Sequence, residues 1–196
     1  RCVWRQDSDN RMSWLTDTAP AKVNLHLSIT GCRADGYHTI ETVLVPLPEL
    51  ADTVSCMPHT GDQWVVECSH PEVPTDESNL CWRAARAFGE AAGVRPMGGR
   101  IRIEKMIPVA AGLGGGSSDA ATTLRLLNDA HGAVLDERAL ARIAVGLGAD
   151  VPFFLRPVPT AATGIGEIRR PIPMRTPLRI VLVCPRFPVS AHWSYT

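Results

Sequence analysis

The stretch Pro108-Val-Ala-Ala-Gly-Leu-Gly-Gly-Gly-Ser-Ser-Asp-Ala-Ala121 constrains this chain more than any other. Gly112, Gly114, Gly115 and Gly116 crowd into five positions, and Ser117, Ser118 and Asp119 follow. Each glycine loses more freedom on folding than another residue, so such a cluster needs a backbone reason. Glycines let a chain curl until successive N–H groups face one point. The next segment, Ala120-Ala-Thr-Thr-Leu-Arg-Leu-Leu127, has helical spacing. A helix that begins straight after the loop adds unpaired N–H groups and the positive end of its dipole. Loop and helix start together form an anion cradle, whose usual occupant is phosphate. A plain turn capped by Ser118 or Asp119 is the alternative. Two common phosphate motifs are excluded. No Lys stands in the stretch, as a P-loop requires, and Ser117 occupies the third glycine position of a dinucleotide fingerprint.

Composition narrows the partners. The 196 residues suffice for one domain and a small piece more. Hydrophobic residues make up 45%, enough for a core, and no apolar run approaches the ~18 residues of a membrane span. The formal net charge of zero argues against nucleic acid or an anionic membrane as partner. None of the six cysteines forms a Cys-x-x-Cys pair, so neither a zinc site nor a disulfide scaffold is suggested. Free thiols in a reducing cytoplasm are the simple account.

Along the chain, Ala21–Thr30 alternates. The period of two predicts a half-buried strand with Val23, Leu25, Leu27 and Ile29 on one face and Lys22, Asn24, His26 and Ser28 on the other. Thr39–Pro46, Thr53–Met57, Gln63–Ser69 and Arg100–Lys105 read as further strands. A helix is predicted over Asp76–Gly93, with Asp76 or Ser78 as cap, a second from about Asp119 to Ala130, and a third over Asp136–Leu147. Leu178–Cys184 reads as an apolar strand. Several polar residues admit two readings on chemistry alone. Lys22 and Asn24 suit either a solvated face or a site. Tyr37 and His38 could pack a hairpin, or stack on and bond a planar base. Asn79 could cap a helix, Lys105 could be solvated, and Asp150 could bond its own backbone before Val-Pro.

The glycine stretch resembles the phosphate-binding motif of the GHMP kinases. Three further blocks resemble that family: Ala19-Pro-Ala-Lys-Val-Asn-Leu25, Arg33-Ala-Asp-Gly-Tyr-His38 and Leu147-Gly-Ala-Asp-Val-Pro-Phe153. The resemblance implies an α/β (α+β) fold, that of the family's N-terminal domain, with a mostly antiparallel sheet. It implies ATP and Mg²⁺ as cofactors, and Asn79, Lys105, Pro108, Gly112, Leu113, Gly114, Gly115, Gly116, Ser117 and Ser118 at the nucleotide. Ser117 or Ser118 would lie near the Mg²⁺. Lys22 and Asp150 would be catalytic, Asp150 taking the proton of the acceptor alcohol. Asn24, Tyr37, His38, Asp150 and, more loosely, Tyr195 would bind substrate. The Asp-Gly-Tyr-His and Gly-Gly-Gly-Ser-Ser-Asp forms imply a cytidyl diphosphate erythritol as acceptor. The alternatives are another kinase of the family, of homoserine or mevalonate type, or a non-catalytic nucleotide- or RNA-binding module of the same fold. Residues 1–18 are expected to be an N-terminal extension, with Met12 a natural opening. Residues 19–170 are read as the ATP-binding domain and 171–196 as the start of a ferredoxin-like second domain, with the family's later glycine motif missing. Assembly as monomer or homodimer is left open.

Overall fold

The computed structural model describes residues 13–33, 38–94, 97–176 and 178–184. The sheet is organised around one strand. β1 (Leu15–Cys32) runs antiparallel to β2 (His38–His59) over almost its whole length. On its other edge β2 is shared. Its first half pairs with β5 (Thr160–Thr163) and its second half with β4 (Gly98–Glu104), both antiparallel. β3 (Trp64–Cys68) lies parallel to β4, and β6 (Ile168–Pro171) antiparallel to β5. The sheet is therefore mostly antiparallel, as the resemblance implies. The parallel pair needs a crossover, which α1 (Leu80–Ala92) supplies.

β2 joins two segments that read separately in sequence. The register explains it. Ala21 pairs with Leu47 but Pro20 pairs with Ala51, so the chain between them bulges and the ladder resumes. Prolines at 46 and 48 remove two donors where the pairing breaks.

The core lies on one face of this sheet. Val54, Cys56, Ile101 and Ile103 alternate inward, and Ala84, Phe88, Leu124 and Leu127 from the helices meet them. α2 (Gly115–Ala130) is the central helix, buried from Ser118 through Leu124 and again at Leu126–Asn128. α3 (Glu137–Leu147) starts on the Asp136 carboxylate, which accepts from the Ala139 N–H at 2.7 Å. α4 (Val151–Leu155) was not legible in the sequence: it is five residues long, with Pro152 in its first turn.

Four expectations need correction. α1 begins at Leu80 rather than Asp76, because Asp76 accepts from the N–H and hydroxyl of Ser78 and holds a turn there. α2 begins at Gly115 rather than about Asp119. The apolar face expected on β1 is not buried: Leu25, Leu27 and Ile29 are 44–47% exposed while Lys22 is 7% exposed. A register shift between Asn24 and His26 breaks the alternation, and the helical layer covers only the Ala19–Lys22 end. Leu178–Cys184 forms no strand, since no edge among the described residues pairs with it.

One side chain ties the layers together. Arg125 of α2 donates to the Phe154 carbonyl at 2.7 Å and to the Asp17 carboxylate at 2.8 Å, joining α4 and β1 to the central helix. Phe154 is fully buried, whereas the Asp17 side chain is 46% exposed. Arg125→Ala should therefore cost ~1–3 kcal/mol, the scale of a buried carbonyl left unpaired. Asp17→Ala should cost well under ~1 kcal/mol, as exposed ion pairs do. Urea denaturation of both variants checks the ranking.

Candidate active site

The glycine run divides its work between a turn and a helix start. Gly112 and Gly114 take left-handed φ values of 72° and 74° and turn the chain. A side chain at Gly114 would be doubly excluded, because its Cβ would lie 2.8 Å from the Phe154 ring and 3.1 Å from Lys22 Cγ. Gly115, Gly116 and Ser117 then form the first turn of α2, with Gly114 as cap. This is why the helix starts earlier than expected: its first three residues contribute the unpaired N–H groups of the cradle. Ser118 N–H already bonds back to the Gly114 carbonyl at 2.9 Å. The turn borders a cleft of about 360 Å³ lined by Asn79, Lys105, Pro108, Gly112–Gly116 and Ser117.

Lys105 lines that cleft, yet its ammonium is engaged behind the loop. Nζ donates to Asp119 Oδ2 at 2.8 Å and to Asp52 Oδ2, and the Lys105, Asp52 and Asp119 side chains are 0–5% exposed. The other Asp52 oxygen accepts from the N–H groups of Met106 and Ile107 at 2.6 and 2.8 Å. Gly115 sits directly over this cluster: a Cβ there would lie 3.1 Å from Lys105 Nζ. No motif marks Asp52 in the sequence; only its pairing position on β2 brings it under the loop. Burial pushes the Asp119 carboxyl up to about 7; Lys105 opposes this and Asp52 adds to it. Burial works against the Lys105 charge, but the carboxylates outweigh it and raise its pKa.

With its folded value raised from 3.8 to about 7, Asp119 gives the folded state the greater share of protons between those values. Its contribution is complete below the lower value and is lost as pH rises through the upper one. Urea midpoints across that window should fall as pH rises, and Asp119→Asn should flatten the decline. An unchanged slope in the variant would show that another group is responsible.

Lys22 and Asp150 stand 128 positions apart in the chain and meet beside the glycine turn, where Lys22 packs against Gly114. Lys22 Nζ lies 3.6 Å from Asp150 Oδ2, the lysine side chain 9% exposed and the aspartate 42%. β1 is fastened to the glycine loop by the Lys22 N–H, which donates to the Leu113 carbonyl at 2.9 Å. Nζ also donates to Asn24 Oδ1 at 2.7 Å, and Asn24 Nδ2 donates to Thr42 Oγ1 at 2.7 Å. Asp150 occupies the cap position of α4, but its side chain makes no capping hydrogen bond. The carboxylate is thus half-exposed beside an ammonium, which suits it to accept a proton from a neighbouring hydroxyl.

The remaining expected residues separate. Asn79 lines the cleft, but its amide is bonded at both ends, accepting from Cys81 N–H and donating to the Pro74 carbonyl. Ser118 is fully buried and does not line the cleft. Ser117 does, so of the two hydroxyl residues it is the one on the cleft wall. Among the described residues no cluster of three His, Cys, Asp or Glu could hold a metal by itself. His38 pairs with Cys32, ten positions along β1 from Lys22 and so up to ~33 Å away in an extended strand. Tyr37 and Tyr195 lie outside the described residues. No helix among the described residues is long and apolar enough to cross a membrane.

Comparison with known proteins gives a consistent picture. Residues 79–156 match the GHMP kinases N terminal domain. The chain is 47% identical over 186 residues to a 4-diphosphocytidyl-2-C-methyl-D-erythritol kinase of Chlorobium phaeobacteroides (strain BS1), covering 94% of this chain and 63% of that one. It is 46% identical over 179 residues to the kinase of the same name from Solidesulfovibrio magneticus, covering 90% and 60%. The chain therefore spans 60–63% of the length of these relatives. Among solved structures, a crystal structure of 4-(cytidine 5'-diphospho)-2C-methyl-D-erythritol kinase superposes with a TM-score of 0.68 at 44% identity, over 81% of this chain and 55% of that one. The mevalonate kinase of Methanococcus jannaschii shares the fold, with a TM-score of 0.62 at 17% identity, over 84% and 57%.

Proposed function

This chain belongs to the GHMP kinases, and from that premise we propose that it serves ATP-dependent phosphorylation of the 2-hydroxyl of 4-diphosphocytidyl-2-C-methyl-D-erythritol, in the non-mevalonate route to isoprenoid precursors. The observation that carries the reading is the Lys22–Asp150 pair beside the glycine turn, in a chain 44–47% identical to kinases of that name.

Phosphoryl transfer asks the protein for alignment and for charge on the moving group rather than covalent chemistry. The N–H groups of Gly115, Gly116 and Ser117 hold the ATP phosphates at the α2 terminus. Asp150 accepts the proton of the acceptor hydroxyl as that oxygen attacks the γ-phosphorus, and the P–O bond to ADP breaks. Lys22 orients the Asp150 carboxylate and carries positive charge to the same place. A Mg²⁺ ion bound with the nucleotide, Ser117 beside it, would neutralise charge on the phosphates. The acceptor and the nucleotide are small molecules, and no nucleic acid enters the reading.

In the complete protein, Asp150→Asn should lower turnover ~100-fold or more, the scale of a lost general base, with ATP affinity nearly unchanged. Steady-state kinetics and calorimetry separate the two effects, and near-normal turnover would remove Asp150 from its role. A panel of cytidyl, homoserine and mevalonate acceptors tests the substrate.

A further inference from the structure

Arg169 belongs to none of the motifs that point to the site. It stands on β6 opposite Ala162 of β5 and is half-buried. Its Nε donates to the Gly166 carbonyl at 2.8 Å, within the β5–β6 turn. Its Nη2 donates to the Ala149 carbonyl at 3.1 Å, one residue before Asp150. One rigid, planar group thus bridges the hairpin and the turn that presents the carboxylate.

Within that turn the Val151 N–H bonds the Gly148 carbonyl at 3.2 Å, and α4 beyond it is held by its buried Val151 and Phe154 and by Arg125 at the Phe154 carbonyl, while Arg169 is the side chain that takes the Ala149 carbonyl. The Asp150 side chain does not cap α4, and α4 is five residues long, too short to persist without outside contacts. Gly148 before it is in extended backbone, φ 169°. Burial lowers the Arg169 pKa, opposed by the nearby carboxylates of Asp150 and Glu167, yet a guanidinium keeps its charge at any working pH. Two cations from different strands thus act on Asp150, the Lys22 ammonium of β1 in an ion pair and the Arg169 guanidinium of β6 through its nearby charge.

Resting on the kinase reading above, we propose that Arg169 is a positioning residue for the transfer: by holding the Ala149 carbonyl it fixes the turn from which Asp150 reaches the acceptor hydroxyl. Its hydrogen bonds among the described residues go to Gly166 and Ala149 and not to the nucleotide cradle, so its effect is expected on the transfer step rather than on ATP binding.

The test uses the complete protein, its Arg169→Ala variant and its Arg169→Lys variant, with ATP and the cytidyl acceptor. Arg169→Ala should lower kcat ~10-fold or more, within the range that a displacement of about 1 Å costs, while KM for ATP stays within ~2-fold. Low-millimolar guanidinium should restore part of the lost kcat, which it would not do for a general loss of structure. Arg169→Lys keeps the charge but not the fork, so it should fall between parent and alanine variant; it carries the test if the alanine variant fails to fold. Unchanged kcat in both variants overturns the proposal. So does a parallel change of kcat and ATP KM with no response to guanidinium. Should the parent reject the cytidyl acceptor, the substrate reading fails instead, and the same variants are compared on the acceptor that the panel identifies.

Discussion

The arrangement depends on one lysine ammonium held between two buried carboxylates. Removing such charges from water costs several kcal/mol per ion, and their attraction offsets this only when geometry is close and the remaining oxygens are bonded. Asp52 meets that condition, because its second oxygen takes two backbone N–H groups from Met106 and Ile107. The cluster joins β2, the segment after β4, and α2 beneath the glycine turn. A loop of four glycines has much freedom to lose. Here it is fastened from below by Lys105, at its side by the Lys22 N–H bonded to the Leu113 carbonyl, and above by the Phe154 ring against Gly114. The cradle is thus preorganised by charges that are already paired with one another.

Two lysines near one cleft consequently do different work. Lys105 has its ammonium enclosed by carboxylates and acts on the loop. Lys22 shares its ammonium with Asn24 and the half-exposed Asp150 beside the glycine turn. Both occur at the end of an alternating stretch, and nothing in the local sequence distinguishes them. The difference arises because β2 brings an acidic side chain under one and not under the other.

The site is legible in sequence to the extent that it is local. The glycine cluster required a turn with unusual backbone, and the following periodicity required a helix. Helices at Leu80–Ala92 and Glu137–Leu147 followed from stripes and end signals. Local reading failed where another part of the chain decided the outcome. The alternation of β1 promised a buried apolar face, but a register shift and the limited reach of the helical layer left Leu25, Leu27 and Ile29 exposed. The apolar run at Leu178–Cys184 has a strand's composition, but a strand exists only where an edge accepts its hydrogen bonds. Asp52 and Arg169 carried no signal, because an isolated charged residue reads as solvated until the fold surrounds it.

By itself the sequence determined the glycine turn, the helix that follows it, the sheet's strand-rich composition and the motifs that mark the family. Each depends on backbone freedom or on a period of two or 3.6 residues, which are properties of short stretches. Tertiary structure alone decided that Lys22 meets Asp150, that Lys105 serves the loop, and that Arg169 braces the turn before Asp150. Those outcomes require residues from different strands and helices to converge within hydrogen-bonding distance, and such convergence is set by register and packing across the sheet.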